Sequence, residues 1–303
     1  MNLKQRVLIY GLISSFFFSF TFLLNRSMSL SGGSYLWSAS LRYLFSFPVL
    51  FLYVYKRGSL KRIHKMLREN PKPWILWSLC GFALFYLPLC YASDLASSWF
   101  ISATWQTTIV AGILTSPLFG HKIPKSNLLA SFFILSGVIL LEAEHLQTLN
   151  WQESIRALIP MLIAAFFYPL GNRKLVHLAP PDLSTLERIY AMTYCSLIAF
   201  VPIAIIAWLK TGLPSRDQSI QSLLVSLLSG LLATWLFFHA TDLARGNPKL
   251  LALAEACIAG EVLFTLLGGI LILNDRQPSV LAYVGLTIII LGLLANARAQ
   301  END

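Results

Sequence analysis

The chain has 303 residues, of which 56% are hydrophobic and 12% charged, with a net charge of +9 and a mean hydropathy of +0.66. A water-soluble domain carries about 25% charged residues, so this composition excludes one and points to an all-α integral membrane protein. The positive balance does not form a nucleic-acid-binding surface either, because the basic residues fall between apolar segments.

In chain order, the opening "MNLKQRVLIYGLISSFFFSFTFLLN" places Lys4 and Arg6 before an apolar run. It has the look of a secretory leader, but no convincing A-x-A site follows, so it is read as a retained first helix. With a spanning helix needing roughly 20 residues, hydropathy predicts ten transmembrane segments. They fall near 7–24, 35–55, 74–93, 99–118, 127–141, 156–171, 184–208, 220–240, 249–273 and 280–295. The largest connection, "KRGSLKRIHKMLRENPK", carries seven Lys/Arg. Because such residues collect on the cytoplasmic side, both termini are expected in the cytoplasm, in the plasma (inner) membrane. The cysteines Cys80, Cys90, Cys195 and Cys257 all lie in apolar segments without metal or disulfide spacing.

The two halves echo one another, which divides the chain into repeats of residues 1–150 and 151–303 that together make one transport domain. "LLNRSM" matches "LGNRKL", pairing Asn25-Arg26 with Asn172-Arg173; "SLRYL" matches "LERIY", pairing Arg42 with Arg188. "YASDLAS" (Tyr91–Ser97) matches "HATDLAR" (His239–Arg245). Five spans per half would insert the second half upside down, a five-plus-five inverted repeat of the kind used for alternating access.

With its "A-[ST]-D-L-A" exits and an Arg early in the second helix of each half, the chain resembles the drug/metabolite transporter superfamily. The short turn "DRQP" (Asp275 to Pro278) adds to the likeness; the first half departs from it with "HKIP" at His121 to Pro124. "AEACIAGEVLFTLL" is similar to the multidrug-resistance efflux branch, where the ninth helix carries two glutamates. The resemblance implies a cavity enclosed by helices 1–4 and 6–9, with helices 5 and 10 peripheral.

Glu261 lies about 16 Å along its helix from Leu250, near the bilayer midplane, where an ionisable side chain costs roughly 2.5–3.5 kcal/mol. It fits either proton coupling and substrate binding or a hydrogen bond to a neighbouring helix. Glu255 is displaced about 120° and 9 Å from it, too far for one tight carboxylate pair; it serves as a second station or is neutralised by Arg42 or Arg188. Gln106, in "TWQTT", occupies the repeat position opposite Glu255. Trp105, Trp235 and Tyr168 are expected in the cavity wall or the aromatic core, and Thr265 shares a face with Glu261. Arg42 and Arg188 suit gates or snorkelling contacts with headgroups. Asp94 and Asp242, at helix ends, suit gates or caps.

No H-E-x-x-H, G-x-S-x-G or P-loop is present, so neither enzyme chemistry, a cofactor nor a metal is expected. The leading expectation is a proton-antiporting exporter of small lipophilic, aromatic or cationic molecules. Its partners would be that substrate, protons and the lipid bilayer, and no nucleic acid; it would act as a monomer or homodimer. A metabolite importer or exchanger, for amino acids, nucleosides or an adenosyl compound, is the alternative. A non-transporting scaffold or lipid-handling subunit is the third.

Overall fold

The computed structural model describes residues 1–119, 125–148, 151–244, 247, 250, 253–254 and 257–300. Among them the chain is helical, with α1 (Leu3–Leu30), α2 (Tyr35–Lys56), α3 (Leu60–Glu69), α4 (Pro71–Leu95), α5 (Ser98–Trp105) and α6 (Thr107–Thr115) in the first half. Then come α7 (Lys125–Thr148), α8 (Trp151–Leu178), α9 (Thr185–Thr211), α10 (Arg216–Leu243), α11 (Ala259–Ile272) and α12 (Val280–Gln300). Among the described residues, six of the expected segments are helices long and apolar enough to cross a membrane: those in α1, α2, α4, α8, α9 and α10. The apolar stretches Leu129–Leu141, Ala259–Ile272 and Val280–Ala295 are shorter.

Local chemistry sets the ends. A capping box of Asn2 and Gln5 starts α1, and Ser184 with Glu187 starts α9, each satisfying backbone N–H groups that a first turn leaves unbonded. Pro71 opens α4 at a position that has no intrahelical N–H bond to lose. Gly58 and Gly212, at φ of 73° and 74°, stop α2 and α9 in a backbone region that side chains disfavour.

Three features depart from the sequence expectation. The basic connection after α2 is not an open loop but the amphipathic helix α3, whose Ile63 and Leu67 are buried. The segment 99–118 is broken at Gln106, where bonds Gln106 N to Ala103 O (3.1 Å) and Ile109 N to Gln106 O (3.1 Å) tighten the backbone between α5 and α6. Another tight turn, at Cys257–Ile258, precedes α11, with Glu261 N donating to Ile258 O at 2.9 Å. In addition, α4 and α10 each contain a π-helical stretch, Leu79–Ala83 and Val225–Ala233.

In lipid, helices are held by close packing and polar contacts rather than by exclusion of water. Where α4 crosses α8, a Cβ on Gly171 would lie 2.6 Å from Gly81 Cα, so only glycine fits. Likewise, a Cβ on Gly137 of α7 would meet the Gly285 carbonyl of α12 at 2.6 Å. The α7–α12 and α4–α8 pairs are both packed together extensively.

The turns at one end of the bundle are tied together. Asp275 accepts from Ser98 and lies 3.6 Å from Arg26 Nε; Trp99 Nε1 donates to the Arg276 carbonyl, Trp37 Nε1 to the Gly212 carbonyl, and Gln218 Nε2 to Ser34 and Ser38. At the opposite, basic-loop end, Arg62 pairs with Asp182 and Glu187, and His64 meets the Tyr190 hydroxyl at 3.0 Å.

Candidate functional site

Between the two ends lies a cavity of about 280 Å³. Its wall includes Phe22 of α1, Tyr43 of α2, Phe82 and Phe85 of α4, Trp105 of α5, Tyr168 of α8, Phe237 and Phe238 of α10, and Glu261 of α11. It extends toward the basic-loop end, where Arg188 and Ile189 of the first turns of α9 line it. The Asp275 network at the opposite end of the bundle contributes no residue to this wall.

The aromatic wall is continuous. Phe85 packs on Trp105 at 5.0 Å and on Tyr168 at 4.7 Å, with Trp105 and Tyr168 meeting edge to face at 5.3 Å. Tyr43, also in the wall, stacks on Phe200 with ring centroids 4.2 Å apart and planes within 13°.

Arg42 projects from α2 into this space, its guanidinium 4.3 Å over the Tyr86 ring and 5.9 Å from that of Tyr43. Its Nη1 donates to Thr21 Oγ1 at 3.4 Å, and Thr21 in turn hydrogen-bonds Ser229. Asn25 Nδ2 holds the Tyr86 hydroxyl at 2.9 Å while also donating to the Thr21 carbonyl at 2.7 Å. Four helices, α1, α2, α4 and α10, thereby fix one cation. Among the described residues no carboxylate pairs with Arg42 or with Arg188. Glu187, the neighbour of Arg188, turns instead to Ser184, Arg57 and Arg62.

Glu261 sits in the first turn of α11, 5% exposed, with its side chain on the cavity wall. The start of a helix favours negative charge through its unbonded N–H groups. Gln106, fully buried at the α5–α6 break, donates from Nε2 to Ser102 O at 3.1 Å and lies beside the Glu261 carboxyl. Gln106 Oε1 and the Thr108 hydroxyl, the latter in the cavity wall, are buried without a protein partner.

The cavity thus gathers Glu261, Arg42, Arg188, Trp105 and Tyr168, with Gln106 behind Glu261. Trp235 is not in the wall: it is 49% exposed and stacks on His239 at 5.5 Å. Depth in the segment, on which Trp235 was expected here, does not fix its face, and the π-helical stretch Val225–Ala233 just before it changes the number of residues per turn. Thr265 also misses the wall; its hydroxyl returns to the Glu261 carbonyl at 2.7 Å and is wholly buried. Asp94, at the end of α4, lies beside Ser29 and Arg26 in the network at the Asp275 end. Asp242, at the end of α10, is exposed. Glu255 and the "HKIP" turn lie outside the described residues. Sequence reasoning gave no cavity role to Asn25, Thr21 or Ser229; a polar residue inside an apolar run was the available signal.

A model of the family described as "EmrE: Putative multidrug resistance efflux transporter" matches residues 5–302. The chain belongs to this family. As a member of the EmrE family it is an integral membrane protein of a small-molecule transporter group. It is 42% identical over 310 residues to "Uncharacterized protein YjlA" of Bacillus subtilis (strain 168), covering 98% of this chain and 96% of the relative. It is 41% identical over 267 residues to the "Uncharacterized 42.1 kDa protein in intracellular alkaline protease 3'region" of Shouchella clausii, covering 85% of this chain and 70% of that one. A crystal structure superposes with a TM-score of 0.63 over 95% of each chain at 16% identity, a likeness of fold alone.

Proposed function

We propose that this EmrE-family chain is a secondary transporter that exports small organic molecules with an aromatic or lipophilic body, by proton antiport and alternating access. The observation that carries the reading is Glu261: an acid almost wholly buried, yet on the wall of an aromatic cavity rather than in an ion pair. An ionisable side chain inside a membrane protein is expensive and is typically retained for transport or proton relay. In the mechanism, Glu261 gives its proton to the cytoplasmic side as cargo enters from the basic-loop end. The bonds at the Asp275 end then part, cargo leaves outward, and a proton returns. One carboxyl cannot hold both occupants, so their movements are coupled.

The same reading takes the chain as ten spans in a five-plus-five inverted repeat, with both termini in the cytoplasm of the plasma membrane. Two observations support it. Backbone breaks interrupt the fourth segment of one half at Gln106 and of the other at Cys257–Ile258, as in transporters built from discontinuous helices. The π-helical stretches of α4 and α10 likewise occupy matching places in the two halves.

The test is transport of lipophilic dyes and aromatic metabolites in vesicles under an imposed pH gradient. Wild-type protein should move cargo against its gradient, and Glu261→Gln should abolish the gradient dependence. Full gradient-driven transport by that variant would remove the proton-coupling reading.

A further inference from the structure

The cavity holds charges of both signs that do not neutralise each other. Arg42 is oriented by Tyr86, Thr21 and Asn25 and has no carboxylate among the described residues; Glu261 is on the α11 side of the same space. Tyr168 lines the same space and packs on Trp105 and Phe85. A guanidinium taken out of water with one long hydrogen bond to a hydroxyl and aromatic faces for company is poorly compensated, since these replace a small part of its hydration. Its planar fork matches a carboxylate with two parallel N–H donors.

From this we propose that the cargo is a zwitterion with an aromatic or apolar body. Its anionic group, a carboxylate, sits on Arg42; its ammonium sits on the Glu261 carboxylate; its body lies against Trp105, Tyr168 and Tyr43. The inference rests on the carrier reading above and names its substrate class. Charge balance favours it over a simple lipophilic cation, which would bring a third positive charge into a space that holds Arg42 and Arg188. A simple anion would neutralise one arginine but leave Glu261 unpaired and facing its negative charge, so pairing rather than net charge favours the zwitterion over it. A zwitterion adds no net charge and pairs both groups. Proton exchange is preserved, because the cargo ammonium and the proton compete for one carboxyl. The Thr108 hydroxyl supplies a further polar contact. The cavity volume, about 280 Å³, sits at the lower edge of small-molecule pockets, roughly 300–1,000 Å³, which suits a body of one ring.

The experiment uses the purified full chain and four probes that share one benzene ring. Phenylalanine and 4-(aminomethyl)phenylacetic acid are zwitterions with short and long charge separations; phenethylamine is the cation and 3-phenylpropionate the anion. Affinities are read by calorimetry or tryptophan fluorescence. At least one zwitterion should bind about tenfold or more tightly than both singly charged probes. Arg42→Gln should erase its advantage over phenethylamine, and Arg42→Lys should retain part of it. Glu261→Gln should erase the advantage over 3-phenylpropionate. Phenethylamine binding as tightly as either zwitterion, with a ratio unchanged in Arg42→Gln, would overturn the inference, as would failure of all four probes to bind. The carrier reading is judged separately, by pH-gradient-driven movement of a lipophilic cationic dye: if that persists, only the substrate class is wrong.

Discussion

Asp275 accepts two hydrogen bonds from Ser98, 2.8 Å from the backbone N–H and 2.6 Å from the hydroxyl, and thereby anchors the turn after α11 to the first turn of α5. Its other oxygen faces Arg26 of α1 at 3.6 Å. Three elements from opposite halves of the sequence meet at one carboxylate. Asp275→Ala removes the acceptor for a helix-starting N–H, a loss of about 0.5–2 kcal/mol, and leaves Arg26 less well paired. A lower thermal midpoint is expected, together with faster labelling of cysteines introduced at that end of the bundle. Unchanged labelling would show that the link does not hold that end shut.

The glycine crossing of α4 and α8 gives a sharper stability test. In Gly171→Ala the new methyl would press on the Gly81 backbone, where no flexible side chain can yield. Overpacking of this kind costs about 1–3 kcal/mol. Loss of monodisperse protein, or a markedly lowered midpoint in detergent, is expected. Gly58→Ala, facing open space, should be milder despite its positive φ.

Glu187 and Glu69 both belong to ion pairs, but their mutants should differ. Glu187 is buried and accepts from the Ser184 backbone and hydroxyl besides facing Arg62 and Arg57. Glu187→Ala should lower stability by about 1 kcal/mol or more through the lost capping box. Glu69 meets Lys65 in solvent, and Glu69→Ala should change stability by no more than about 0.5 kcal/mol. Paired thermal melts check the contrast.

Two tryptophans of similar sequence context should part company in binding. Trp105 lines the cavity beside Phe85 and Tyr168, whereas Trp235 stacks on His239 away from it. Trp105→Phe should weaken an aromatic cargo severalfold, in line with about 0.5–1.5 kcal/mol for an aromatic pair. Trp235→Phe should leave affinity unchanged, as fluorescence titration would show.

Much of the architecture was legible because lipid imposes a simple rule: long apolar runs become helices, and charges within them are few enough to name. That logic found Glu261, Arg42 and Arg188, and the structure places all three on one cavity. It failed where the backbone leaves α-helical geometry. "TWQTT" contains neither Pro nor Gly, so nothing local announced the break at Gln106. The π-helical stretch before Trp235 was equally silent, and depth in the span, which placed Trp235 with Trp105, does not say which face a side chain takes. By contrast, α3 was readable in hindsight: Ile63 and Leu67 are four apart amid basic residues, an apolar stripe that a count of charges alone passes over.

The Asp275 end of the bundle is tied largely by polar bonds: Asp275 with Ser98, Trp99 with Arg276, Trp37 with Gly212, and Gln218 with Ser34 and Ser38. Each such partner can be exchanged for a water molecule at modest net cost, about 0.5–1.5 kcal/mol per bond. A door latched this way unfastens stepwise at the membrane surface while the oily interior stays intact. Its ease of opening should therefore follow the chemistry of the surrounding aqueous medium, where urea and alcohols compete for the same donors.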